Sequence, residues 1–148
     1  PPLLLSSAAS DVYKRQLYIL IQIIAAVLGT LFANYIFGLN VIEISSNIRS
    51  GANIYISEIF AATGLLLVIL LSRADGKNVV SFNVGIYITA ALIFTSSTSF
   101  ANPAVTIARM FTESFTGINP STVIFFISCQ VIGMFAAYIL YNQFFKSK

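Results

Sequence analysis

Apolar residues fall in four long blocks along this chain, about Leu17–Gly38, Ile54–Ser72, Val79–Phe94 and Val123–Phe145, with short polar connections between them. A helix needs about 20 residues to cross a bilayer core, and each block comes close to that length. Four membrane-spanning helices are therefore predicted. The third block is the shortest, and it leads into a stretch of a different kind, TSSTSFANPAVTIARMFTESF, from Thr95 to Phe115. Five consecutive hydroxyl residues, Thr95 to Ser99, make its start too polar for a span. Asn102-Pro103 then opens a short apolar run that reaches about Phe111. Asn is a favoured helix cap, and Pro at the first helical position wastes no amide, so a helix is predicted to begin at Pro103. It is too short to cross a membrane, yet spans flank it on both sides. Non-helical backbone at membrane depth is tolerated only where protein buries it or where it lines a wet cavity. A re-entrant half-helix with its N-terminus toward the membrane centre meets these conditions.

The first and last blocks echo each other, with QIIAAVLG from Gln22 and QVIGMFAA from Gln130. Ala25, Gly29 and Ala33 recur every four residues, as do Gly133 and Ala137, a spacing that lets helix backbones approach closely. The shared Gln points to an internal repeat, a common way of building membrane transport proteins.

Composition agrees with the blocks. The chain has 148 residues, 57% hydrophobic and 9% charged, against roughly 25% charged in a soluble domain. Its mean hydropathy is +0.88. The net charge of +3 is small and dispersed, which argues against a nucleic-acid partner. The chain has no His, and Cys129 is the only cysteine, so His-based metal sites, Cys clusters and internal disulfides are excluded by counting. Cys129 is expected to pack as a small hydrophobe. An enzyme needs a nucleophile–base or metal constellation, which these spans do not offer, and no cofactor is implied. Arg73 and Lys77 follow the second block, and Lys146 and Lys148 follow the fourth. The positive-inside rule puts those two ends in the cytoplasm and the connection 40–53 outside, with a tight turn at Asp75-Gly76. Residues 1–16 (PPLLLSSAASDVYKRQ) lack the basic start and sustained apolar run of a signal peptide. They look like a translated sequencing adapter and are expected to be a foreign or disordered leader.

With these elements in place, the chain resembles the aquaporin (major intrinsic protein) family from about Leu17 to its end. Asn102-Pro103-Ala104 matches the NPA signature; Tyr18 and Gln22 look like the family's third span, Glu58 ahead of GLLLVIL like its fourth, and Gln130-x-x-Gly133 like its sixth. The wording TSTSFANPAVTIAR resembles a bacterial subgroup, some of whose members are encoded beside arsenic-resistance genes. The resemblance implies an all-α membrane fold, here the third to sixth spans and the second NPA loop over residues 17–148, without the first two spans and the first NPA loop. It implies a passive channel for water or small neutral solutes, a homotetramer in a bacterial inner membrane with its C-terminus cytoplasmic, and lipid as surroundings. A secondary transporter with a broken-helix substrate site is the alternative.

On this resemblance Asn102 caps the half-helix with its side-chain oxygen and offers its amide nitrogen to solute. Glu58, an acid within a span, is expected to buttress the re-entrant loop by accepting from backbone amides. The family usually carries Arg directly after the second NPA, where Val105 stands, while Arg109 follows one turn later, about 6 Å further outward. The narrow selectivity collar is thereby changed, and Arg109 is either a pore-mouth residue or a structural partner of Glu113. Thr89 or Ala90 takes the collar position on the fifth span, and Phe100, two residues before the motif, is a candidate pore-lining ring. The family also tends to carry Thr four residues after the fourth-span Glu, where Ala62 stands, with Thr63 next.

Overall fold

The computed structural model describes residues 2–74 and 79–145, with side chains described from Val12 onward. The expected turn at Asp75-Gly76, and Lys77, Lys146 and Lys148, lie outside the described residues. The described residues form an all-α architecture of five helices: α1 (Pro2–Ile36), α2 (Ala52–Ala74), α3 (Val80–Phe94), α4 (Pro103–Ala108) and α5 (Pro120–Leu140). A 3-10 turn, Arg109–Phe111, continues α4, and a π-turn, Tyr141–Phe145, continues α5. Three helical stretches are long and apolar enough to cross a membrane, namely Val12–Ile36, Ala52–Ala74 and Pro120–Phe145. Helix α3 is apolar but has only 15 residues, or about 22 Å at 1.5 Å per residue. The chain leaves it at Thr95 and does not become helical again until Pro103.

Two boundaries differ from the sequence reading. Helix α1 runs unbroken from Pro2, so it starts well before the apolar block that begins at Leu17. No Pro or Gly lies between Leu3 and Leu28, so nothing there interrupts the intrahelical hydrogen bonds. Helix α5 starts at Pro120, three residues before the expected Val123, because Asn119-Pro120 repeats the device at Asn102-Pro103. The Asn119 side-chain oxygen accepts from the Ser121 amide at 3.0 Å and the Ser121 hydroxyl at 2.7 Å.

Helix α2 packs chiefly on α5, and α3 packs on α2. A Cβ added at Gly133 of α5 would lie 2.6 Å from the Ile59 carbonyl oxygen and 2.9 Å from the Ala62 Cβ, so the two backbones meet where only Gly fits. Thr63 bridges the same seam, its hydroxyl lying 2.7 Å from the Ile59 carbonyl and 3.1 Å from that of Gly133. The matching stripe on α1 behaves differently. Ala25, Gly29 and Ala33 are exposed, and a Cβ at Gly29 would meet nothing within 4 Å. Gln130 is fully buried whereas Gln22 is exposed. Only 6% of the apolar window of α1 is buried, against 17% for α2 and 33% for α5, so α1 keeps most of its surface uncovered.

The side chains that close the molecule gather where the loops meet. Phe100, Ile118, Val123 and Phe126 form a buried cluster joined by Ile54, Tyr55, Met110 and Ile127. The connection 37–51 lies across it. Its Ser45 amide donates to the Met110 carbonyl, and its Asn47 carbonyl accepts from the Asn119 amide, both at 2.8 Å. Buried Asn34 of α1 donates to the carbonyls of Phe111 (2.8 Å) and Val41 (3.1 Å), tying α1 to the end of the short helix.

Candidate functional site

The site is built on the loop 95–102 and the short helix that follows it. Asn102 is extended (φ −151°, ψ 123°), and its Oδ1 accepts from the Ala104 amide at 2.9 Å, with Pro103 supplying the first helical residue. Its side-chain nitrogen makes no hydrogen bond among the described residues, so the one donor pair of the motif is left over after capping. The Asn102 carbonyl accepts from the Thr106 amide and hydroxyl, both at 3.0 Å.

The chain before Asn102 takes a costly path. Thr98, Ser99 and Ala101 have φ of 60°, 44° and 49°, left-handed conformations that cost non-glycine residues on the order of 1–3 kcal/mol each. Such a path persists only if its surroundings over-determine it, and fully buried Glu58 of α2 does so. Its carboxylate accepts from the Ala101 amide at 2.7 Å, the Phe100 amide at 3.3 Å and the Gln130 side chain of α5 at 2.7 Å. The Gln130 nitrogen also donates to the Thr106 hydroxyl at 2.8 Å. One continuous network thus joins α2, α5, the loop and the short helix. A lone buried carboxylate is expensive; three donors make this one tolerable.

A second group lies beside the core cluster. Arg49, buried in the 37–51 connection, donates to the carbonyls of Phe115 (2.6 Å), Gly117 (2.8 Å) and Ser97 (3.3 Å). Its guanidinium carbon lies 5.1 Å from the centre of the Phe100 ring. That of Arg109 lies closer to the same ring, at 4.2 Å. The Arg109 guanidinium makes no hydrogen bond among the described residues, and its buried Nη1 has no partner. Arg109 lines an open cavity of about 490 Å³ between α1 and the 109–116 segment, shared with Thr30, Asn34, Thr112, Ser114 and Thr116.

The sequence-derived candidates fall into separate groups here. Glu58, Asn102, Pro103 and Ala104 share one network or lie next to it. Val105 is half-buried on the short helix. Thr89 and Ala90 line a shallow groove along α3 with Ser81, Phe82, Gly85, Ile86 and Ile93, apart from the Arg109 cavity. The Thr89 hydroxyl is engaged with the Gly85 carbonyl at 2.8 Å. Phe100 is corrected from a pore-lining ring to a core residue. It is only 3% exposed and packs 5.1 Å from the Phe126 ring, because its apolar face is needed to close the cluster. The pairing of Arg109 with Glu113 is also absent. Glu113 instead accepts from the amide and hydroxyl of Ser46, and these hold its carboxyl below its ordinary pKa. Three contributors were missed by the sequence reading of the site: Thr106, Arg49 and the Gln130 amide as a partner of Glu58. Gln130 carried a signal through its echo in Gln22. Arg49 carried none, because a lone Arg in a polar connection looks like any surface charge.

Comparison with curated proteins finds a relative in the aquaglyceroporin AqpS of Rhizobium meliloti (strain 1021), 41% identical over 123 residues. The match covers 83% of this chain and 53% of the relative, so the chain spans about half the length of the protein it matches. No protein-family model and no solved structure matches the chain.

Proposed function

Because this chain belongs to the aquaporin (major intrinsic protein) family, we propose that it forms the C-terminal half of a passive membrane channel for water and small neutral solutes. The observation that carries the proposal is the Asn102-capped short helix, set behind a strained loop that a buried carboxylate holds in place. A transport path needs polar groups presented by irregular backbone inside the bilayer, and this arrangement supplies them at fixed positions. Asn102 acts as a pore donor through its side-chain nitrogen, while Glu58 and Gln130 serve the path by fixing the loop. The positive end of the short helix disfavours cations and turns each water oxygen toward the donor, the kind of selectivity set by helix ends and lining donors.

The other half of the pore comes from segments preceding α1 in the intact protein. The half-length match, exposed Gln22 and the uncovered stripe on α1 support this reading. The assembled protein is a homotetramer in a bacterial inner membrane, with the C-terminus cytoplasmic. Val105, which cannot hydrogen-bond or bring charge into the lumen, and Thr89 or Ala90, both small, make the collar wide enough for glycerol-sized neutral solutes. Stopped-flow light scattering on liposomes holding the intact protein tests this. The expected record is water shrinkage followed by re-swelling as glycerol or undissociated arsenous acid enters. Fast shrinkage without re-swelling would refute the wide collar, and no permeability above empty liposomes would refute the channel. Val105→Arg should suppress solute re-swelling more than water flow.

A further inference from the structure

We propose that Phe100 is a positioning residue that fixes Arg109 as the cation barrier of the outer mouth, so that the charge absent directly after the motif is supplied one turn later. This rests on the channel reading above. The two guanidiniums near the Phe100 ring differ in what else holds them. Arg49 is held by three backbone carbonyls from 97, 115 and 117, so its geometry is set whether or not the ring is present. The Arg109 guanidinium makes no hydrogen bond among the described residues, and the ring at 4.2 Å is its specific contact. An arginine carries five N–H donors on a flexible stem, and one without acceptors sweeps a wide volume unless packing stops it. A cation over an aromatic face is attracted to it, more strongly where water is excluded. Phe100 suits this task because its ring is itself buried and packed against Phe126 and the cluster around Ile118.

The cavity beside Arg109 makes the held charge useful. Its other polar side chains are hydroxyls and one amide, from Thr30, Asn34, Thr112, Ser114 and Thr116, and no carboxylate lines it. The nearby acids are engaged elsewhere, Glu58 by the loop amides and Gln130, and Glu113 by Ser46. The Arg109 charge therefore faces the cavity without a counter-ion. At an effective dielectric of about 20, a second positive charge about 6 Å away is disfavoured roughly 100-fold, while a neutral solute meets only donors.

The test uses the intact channel in liposomes, reading methylammonium uptake beside water and glycerol flux. Arg109→Leu should raise methylammonium uptake relative to water flow roughly 10–100-fold. Phe100→Leu should move it in the same direction by a smaller factor, and Phe100→Trp, which keeps a ring, should restore exclusion. These variants are compared only where they elute as folded wild type does. A second arm is independent of transport. In detergent, the Arg109 guanidinium protons should show an upfield ring-current shift in NMR that Phe100→Leu abolishes and Phe100→Trp retains. Unchanged cation exclusion in Arg109→Leu overturns the barrier, and unchanged exclusion or shift in Phe100→Leu overturns the positioning role. A wild-type channel that passes no solute refutes the channel reading instead, and the ring-current arm still decides the Phe100–Arg109 contact.

Discussion

Replacing Glu58 with Leu keeps the side chain's bulk and removes the acceptor on which the loop depends. Three donors lose their partner: the Ala101 amide, the Gln130 side chain and, at a longer distance, the Phe100 amide. An orphaned buried donor costs about 1–3 kcal/mol, so three represent roughly 3–9 kcal/mol. Relief from burying a carboxylate pulls the net value down. The strain at Thr98, Ser99 and Ala101, on the order of 1–3 kcal/mol each, is carried by the closed loop of either protein and does not alter the difference. The expected net loss is about 3–5 kcal/mol, within the range set by the orphaned donors. Its form is local, because the strained loop can let go while the seam between α2 and α5 stays closed. Hydrogen exchange read by mass spectrometry on the intact protein in detergent, over residues 95–104, checks this. Protection should fall by about three orders of magnitude in Glu58→Leu, since each 1.36 kcal/mol is a factor of ten. Glu58→Gln retains an acceptor but turns an amide toward donors, and should lose only about 1–3 kcal/mol. If Glu58→Leu protects this loop as wild type does, the carboxylate does not hold it and the argument from strain fails.

Gly133→Ala should destabilise the protein by about 1–3 kcal/mol in a denaturant titration, since the added Cβ falls on the Ile59 carbonyl and Ala62. Gly29→Ala meets nothing here and by helix propensity alone would stabilise by about 1 kcal/mol. In the intact protein it should instead behave like Gly133→Ala if a missing segment docks on that stripe, and a stabilising effect there would refute the repeat. Ala101→Val should cost more than about 1 kcal/mol, because a β-branched residue resists the left-handed conformation, whereas Ala101→Gly should be neutral or better. Glu113 has a lowered pKa through Ser46. Its contribution is therefore complete above the ordinary carboxylate range and is lost as pH falls through the lower folded value. Ser46 amide protection should hold from pH 7 down to the ordinary carboxylate range and disappear below it, and Glu113→Gln should remove that dependence.

Much of the architecture was legible in the order of the residues. Apolar blocks of bilayer length, broken by a hydroxyl run and an Asn-Pro pair, are local signals, since the length of a span and the cap of a helix depend on neighbours in sequence. The short helix at Pro103 and the break after Phe94 follow from those signals alone. The same rule would have placed the start of α5 at Pro120, had Asn119-Pro120 been given the weight of Asn102-Pro103. What the side chains do to one another was decided only by the tertiary structure. Phe100 looked like a pore ring because it adjoins the motif, but the burial of an aromatic depends on which distant residues need its surface, here Ile118 and Phe126. Arg109 and Glu113 stand one helical turn apart in sequence. The turn after Ala108 tightens into a 3-10 segment, and the 37–51 connection brings Ser46 to the carboxylate instead. Arg49 illustrates the same limit, since its three acceptors lie 48 to 68 positions away. Sequence carries the free energy of local backbone choices and of transfer into lipid. Pairing among buried polar groups depends on contacts that only the folded chain brings together.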